Sequence, residues 1–513
     1  MFGRTRRAVQ AALAATTLPD ELKAFIASLV TRTRLRRAEQ LDIAAELTSH
    51  FSEGLAAGKS VDALVASYGD ARQSARDLRA SAIAKRTPFD RAAGMFVKWG
   101  SIGVAAVLAV YLGSATVLYL REPVISFDAR AIVNAQLPEP GPEGRALDLY
   151  IAALADESGR YREEWAINSV DAIEEALLRV DEDPTAEATA RAVLAEMRGT
   201  IESLRAVRTR PVFGLGIKAN WMADDAAVRF FGLESLIMVE PGRADGPYGS
   251  SLFMAKLPQI AVLLRSAKLL CFDASIAAKD GRGDDFVASV EAASMSARHV
   301  GEFPFLVTEL VKIRVQRVVL DEVRRAVEQT PAMFTDAHLV RLGELVRAQT
   351  SGIAIGVEGE RLMMRDFIQR CFSDDGNGDG VLLPRAWTRA LVELSDFPAA
   401  REKSTTLAAV EFLAGPAAAT AFPSRREITD RLDAYYESAI AVANATTREE
   451  FDARMGAYRE RMDDIRAAPS NLLDALVPAL DKALENGWKL REAVAETADL
   501  IARERAKRAG SSR

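Results

Sequence analysis

Asp375-Gly376-Asn377-Gly378-Asp379-Gly380-Val381 is the stretch whose residue types and spacing come closest to a chemical site. Oxygen side chains fall at positions 1, 3 and 5 of a calcium-type loop, Gly380 at 6, and Val381 at 7, where the backbone carbonyl is the ligand; Leu382 is the apolar position 8. The twelfth position, where a bidentate Glu belongs, is Ala386, and Pro384 interrupts the segment that would become the exiting helix. Losing that carboxylate removes two of about seven ligands. Asp375, Asn377, Asp379 and Val381 therefore read either as a weak calcium site or as an Asp/Asn/Gly turn whose side chains bond their own backbone. No other cofactor is implied.

Cys271 and Cys371 are the only cysteines. A bridge between them would close a loop of about 100 residues and stabilise by up to about 4.7 kcal/mol in the chain-entropy model. Both also lie in apolar helical text, where a free buried cysteine is common. The three histidines, His50, His299 and His338, have no zinc-ligand spacing. No G-x-S-x-G elbow occurs, and no Ser or Cys nucleophile can be paired with a base. Two carboxylates alone can hydrolyse a glycoside, but the acids beyond residue 98 are too numerous for two to be singled out. Gly58-Lys59-Ser60 looks like the end of a phosphate loop, yet Gly54 and Gly58 are separated by three residues rather than four and follow a helix.

The elements that carry these residues are divided by Trp99–Leu120, a run of 22 residues without Asp, Glu, Lys, Arg, Asn or Gln. As a helix it is long enough to cross a bilayer core of roughly 30 Å. Lys85, Arg86, Arg91 and Lys98 precede it closely, whereas Arg121 and Arg130 after it are offset by Glu122 and Asp128. The bias predicts a cytoplasmic N-terminus. Residues 1–98 hold 16 Lys+Arg against 10 Asp+Glu, leaving 50 against 62 for the rest, so the parts carry about +6 and −12. A basic part suits anionic headgroups and an acidic one an aqueous extracytoplasmic space. Ser101, Ala105, Ala109 and Gly113 recur every four residues and offer a small-residue stripe for homodimerisation. Arg4, Arg6 and Arg7 resemble the start of a signal peptide, but AVQAALAATTLP is too weakly apolar and reads as a short helix.

Residues 1–90 form a compact helical prefix. Leu47, Phe51 and Leu55 share a helical face, Gly58 ends that helix, Ser60 opens a short one ending near Gly69, and Asp70 caps the next. Residues 121–145 read as a Pro-rich tether, and residues 146–513 repeat apolar positions at three and four throughout. The expected fold class is all-α: a small N-terminal helical module, one transmembrane helix, and a large extracytoplasmic domain of helical hairpins or bundles. Gly and Pro breaks are expected at 211–216, 241–249, 281–283 and 376–380. Ala274, Ala277 and Ala278 before the GRGDD turn, with Ala292, Ala293 and Ala297 after it, allow two helices to pair closely.

Glu46, Leu47, His50 and Phe51, the GKS turn, and Tyr68-Gly69-Asp70 resemble the short helical prefix domain of the HAAS or permease-prefix type over about residues 20–86. The resemblance implies a cytoplasmic signalling or regulatory role without catalytic residues. KDGRGDDF, ARHVGEFPFLVTELV and SDDGNGDGVLLP resemble bacterial single-span membrane proteins that join such a prefix to a tetratricopeptide-like helical exterior; no activity is implied. The leading expectation is a non-enzymatic, bitopic inner-membrane protein, N-terminus cytoplasmic, whose exterior binds a protein or peptide partner in the envelope. A membrane-tethered carboxylate-dependent hydrolase and a structural envelope scaffold are the alternatives. The acidic exterior and the lack of a binding motif argue against nucleic acid.

Overall fold

The computed structural model describes residues 2–178, 184–216, 225–232, 251–252, 255, 257–394, 405–467 and 480–511. Helices account for the regular structure of these residues; two isolated bridges, Ala155 to Tyr161 and Phe372 to Leu382, are the β-type pairings among them. Met1–Val110 and Tyr111–Arg513 form two compact units.

In the first unit, α1 (Phe2–Ala14), α2 (Asp20–Thr33), α3 (Arg37–Ala56), α4 (Val61–Ala66) and α5 (Ala71–Ala84) enclose a small core. Leu22, Ile26, Leu29 and Val30 of α2 bury one stripe, which meets Ile43, Leu47 and Phe51 of α3. The expected caps form. Ser60 Oγ accepts from the Ala63 amide (3.3 Å) and the Asp70 carboxylate from those of Arg72 and Gln73 (3.2 and 3.3 Å), while Gly58 and Gly69 supply the left-handed backbone that ends the preceding helices. Arg86 closes the module by a two-point contact with Glu39 (2.8 and 3.1 Å).

Helix α6 (Pro88–Leu120) contains the apolar run. At 33 residues it is about 50 Å long. Trp99–Leu120 is long and apolar enough to cross a membrane, and Trp99, Val104, Val107, Val110, Val117 and Leu120 are each more than 60% exposed.

The second unit has one continuous core. It comprises α7 (Ala129–Gln136), α8 (Ala146–Leu154), α9 (Glu163–Leu178), α10 (Pro184–Glu196), α11 (Arg198–Arg205), α12 (Asp225–Phe230), α13 (Gln259–Lys279), α14 (Gly283–Val300), α15 (Leu306–Gln329), α16 (Asp336–Ala348), α17 (Ile353–Cys371), α18 (Pro384–Leu394), α19 (Thr405–Ala421), α20 (Arg425–Ala443), α21 (Arg448–Ala467) and α22 (Asp481–Ser511). The expected alanine pairing appears: α13 and α14 pack along each other with all six alanines buried. Long α15 packs on both and on α22. A Cβ on Gly359 of α17 would sit 1.4 Å from the Pro304 carbonyl, so only glycine allows α17 this close to the turn before α15.

The breaks at 211–216, 281–283 and 376–380 interrupt helices as expected, while 241–249 lies outside the described residues. Residues 121–145 differ from an open tether. Asp128 caps α7 through the Ala131 amide (3.1 Å), and Ala129 and Val133 are buried in the large core.

Candidate functional site

The calcium-type loop follows α17 and is held by the start of α20. Asp375 Oδ1 accepts the amides of Asn377 (2.7 Å) and Asp379 (3.1 Å); Asp379 Oδ1 accepts those of Gly380 (2.8 Å) and Arg426 (3.0 Å). The Val381 carbonyl accepts from Ser373 N (2.9 Å), and Arg426 Nη2 takes the Asn377 carbonyl (2.7 Å). These amide bonds hold the Asp375 and Asp379 carboxyls below the usual range. The loop thus closes through its own backbone, and no cluster of three or more metal-ligating side chains occurs among the described residues. Cys271 and Cys371 are both buried and neither is in a disulfide; burial raises the Cys271 pKa.

His299 serves the core. Its Nε2 contacts the Arg210 carbonyl (2.7 Å) and so carries the proton, leaving Nδ1 to accept from Tyr150 OH (3.1 Å). Burial lowers its pKa to about 4. His338 Nδ1 accepts the Thr335 amide (3.3 Å) at the start of α16, and Nε2 meets Asp284 (2.9 Å). His50 packs edge-on to Phe51 and Tyr68. Among the carboxyls, burial raises Glu302 and Glu360 to about 7, but Glu302 accepts the Phe213 and Gly214 amides and Glu360 that of Leu306. Each fastens a different piece of backbone.

A dense polar network lies where the chain leaves the apolar run. Arg121 Nη2 donates to the Asp374 carbonyl (2.7 Å). Five residues on, Gln369 of α17 clamps the extended segment: its Oε1 accepts the Ser126 amide (2.9 Å) and the Phe127 amide (3.3 Å), and its Nε2 donates to the Phe127 carbonyl (3.0 Å). Arg425 ties the clamp to the acidic loop, donating to Asp374 Oδ2 (2.8 Å) and Ser126 Oγ (3.2 Å). Behind Gln369, fully buried Asp366 accepts from Gln369 Nε2 (2.8 Å), from Nη2 and Nε of Arg370 (2.9 and 3.1 Å) and from the Leu252 amide (2.7 Å). On the first turn of α7, Arg130 donates to the Ser251 carbonyl (3.1 Å); burial, then the Arg370 charge, lower its pKa.

This arrangement is suited to carrying force. Asp366 and Asp374 are each paired with an arginine, and the bonds join the run's exit to α17 and α20 across more than 240 residues of chain. Sequence reading missed it. The available signal was Asp366, Gln369 and Arg370 on one face of the helix, at i, i+3 and i+4.

Residues 24–77 match the HAAS family model. This HAAS domain covers α3, α4, most of α2 and the first half of α5, so Glu46, His50, Phe51, Gly58, Ser60, Tyr68, Gly69 and Asp70 all fall within it. In the HAAS domain these residues cap or end helices or line the aromatic cluster of Phe25, Phe51 and Tyr68, except Glu46, which faces Lys85 at 3.9 Å. No curated protein and no solved structure matches the chain at a significant level.

Proposed function

We propose that this chain is a single-span inner-membrane protein with its HAAS domain in the cytoplasm and its helical C-terminal domain outside, and that the latter binds a protein or peptide partner. The binding state is transmitted through the clamp of Gln369 and Arg425 to the span. The observation that carries the reading is the bare apolar surface of α6 running directly into that clamp. So many large apolar side chains on one helix exceed what soluble monomers expose, and the basic residues before the run orient it.

Two exposed apolar side chains support a partner surface on the C-terminal domain. Val307 (49% exposed) opens α15 and Ile355 (59%) opens α17, and the two helix starts are joined by the Gly352 amide bonding to Glu309 (3.1 Å). The experiment is photo-crosslinking in living cells from probes at Val307 and Ile355, with Glu328 at the far end of α15 as reference. A discrete adduct from the first two positions and none from Glu328 is expected. No adduct from any position, or the same smear from all three, contradicts the partner reading.

A further inference from the structure

Helix α19 is short, apolar and laid against the end of the span. Tyr111 OH donates to the Leu413 carbonyl, the Tyr119 and Phe412 rings meet edge to face at 5.9 Å, and a Cβ on Gly415 would touch Leu118 at 3.5 Å. Tyr111, Leu118 and Tyr119 belong to the apolar run Trp99–Leu120, and α19 packs on α18 as well. Tyr111 lies nine residues before Leu120, about 13 Å along the helix. Half of a bilayer's hydrocarbon thickness is about 15 Å.

The face of α19 away from the span is uncovered. Val410 (57% exposed) and Leu413 (51%) lie three residues apart, and exposed Ala417 continues the row. Two hydroxyls at this contact are satisfied by the backbone of α19: Thr420 Oγ1 bonds back to the carbonyls of Pro416 (3.1 Å) and Ala417 (3.0 Å), and Tyr111 OH donates to that of Leu413. Such internal pairing is what hydrocarbon demands of a hydroxyl. At 17 residues, with Glu411 in its middle, α19 is shorter than the roughly 20 residues a crossing needs.

We propose that α19 is a second membrane element, inserted into the extracytoplasmic leaflet beside the span, with Val410, Leu413 and Ala417 facing lipid acyl chains. The inference rests on the single-span reading above. Wherever the run sits in hydrocarbon, its contacts with Leu413 and Gly415 carry the middle of α19 to the same depth. Glu411, half-buried, marks the flank that must stay near the headgroups.

The test uses the full-length chain in phosphatidylethanolamine/phosphatidylglycerol nanodiscs containing lipids with acyl-chain nitroxides. An environment-sensitive fluorophore is attached to an introduced cysteine at Val410, Leu413, Val107 or Glu344; the native thiols are buried. Val107 reports the span and Glu344 the water-facing surface. The proposal expects the Val410 and Leu413 probes to lose more than about half as much intensity as Val107 does, with Glu344 unaffected. Quenching at Val107 but not at Val410 or Leu413 overturns the insertion of α19 and leaves the span standing. No quenching at Val107 overturns the span and α19 with it.

Discussion

The HAAS domain and the C-terminal domain are both helical, but they are held together by different means. In the first, a small core is bounded by local bonds and one longer closure, Arg86 to Glu39: Ser60 and Asp70 cap within three residues of themselves, and Gly58 and Gly69 turn the chain between helices. In the second, buried charge joins distant segments: Arg205 reaches Asp273 (2.6 Å), Asp285 (3.0 Å) and Ser289 (2.8 Å) across three helices, and Gln369 and Arg425 hold residues near 126. A short module whose structure is set locally can be moved between proteins intact. The larger domain is specified by contacts that exist only when the whole of it has folded.

Breaking a distant network should therefore cost more than breaking a local cap. Arg370→Ala strands the buried Asp366 carboxylate and is expected to destabilise the C-terminal domain by about 3–5 kcal/mol. Denaturation of the detergent-solubilised protein, followed through Trp387, which packs on Phe367 of α17, reads the change. A loss no larger than that of a helix cap would erase the distinction between the two regions.

The pH response sharpens it. Glu302 is raised to about 7 in the folded state, so the folded form holds a proton that the unfolded form releases near its ordinary value of 4.5. Its contribution is present at low pH and is lost as pH rises through that window. His299, lowered to about 4 from 6.5, runs the other way: its contribution is lost as pH falls. The two oppose each other in one cluster. Glu302→Gln should leave the His299 response unopposed, making the slope of stability against pH more positive by up to about 1.4 kcal/mol per pH unit between pH 5 and 6.5. Equilibrium unfolding of parent and variant at several pH values checks this, and parallel profiles would contradict it.

Asp70→Ala should cost only about 1 kcal/mol, confined to the start of α5 in the HAAS domain, as local hydrogen exchange would show. The smallest effect concerns the thiols. Reductant should leave stability unchanged, and thiol titration without reductant should find two reactive groups in denaturant and none in the folded chain.

The same contrast explains what sequence reading could reach. Ser60, Asp70 and the glycines act on their own neighbours, so their roles follow from spacing, and the alanine pairing of α13 with α14 follows from residue size across a short turn. The role of Gln369 depends on a segment more than 240 residues away, and nothing in its surroundings names that partner. Helix α7 was concealed by the prolines of LPEPGPEG that follow it, although Asp128 was in place to cap it. The acidic loop was legible as a turn or a weak ion site; its fastening to Arg425 and Arg426 depends on where α20 packs, which spacing does not disclose.

The central claim, a span with the HAAS domain inside and the helical domain outside, is tested most directly by protease treatment of cells carrying tags at both ends. The account predicts that permeabilising the outer membrane exposes the C-terminal tag to digestion while the N-terminal tag survives until lysis. Survival of both tags until lysis, or loss of the N-terminal tag alone, would contradict it.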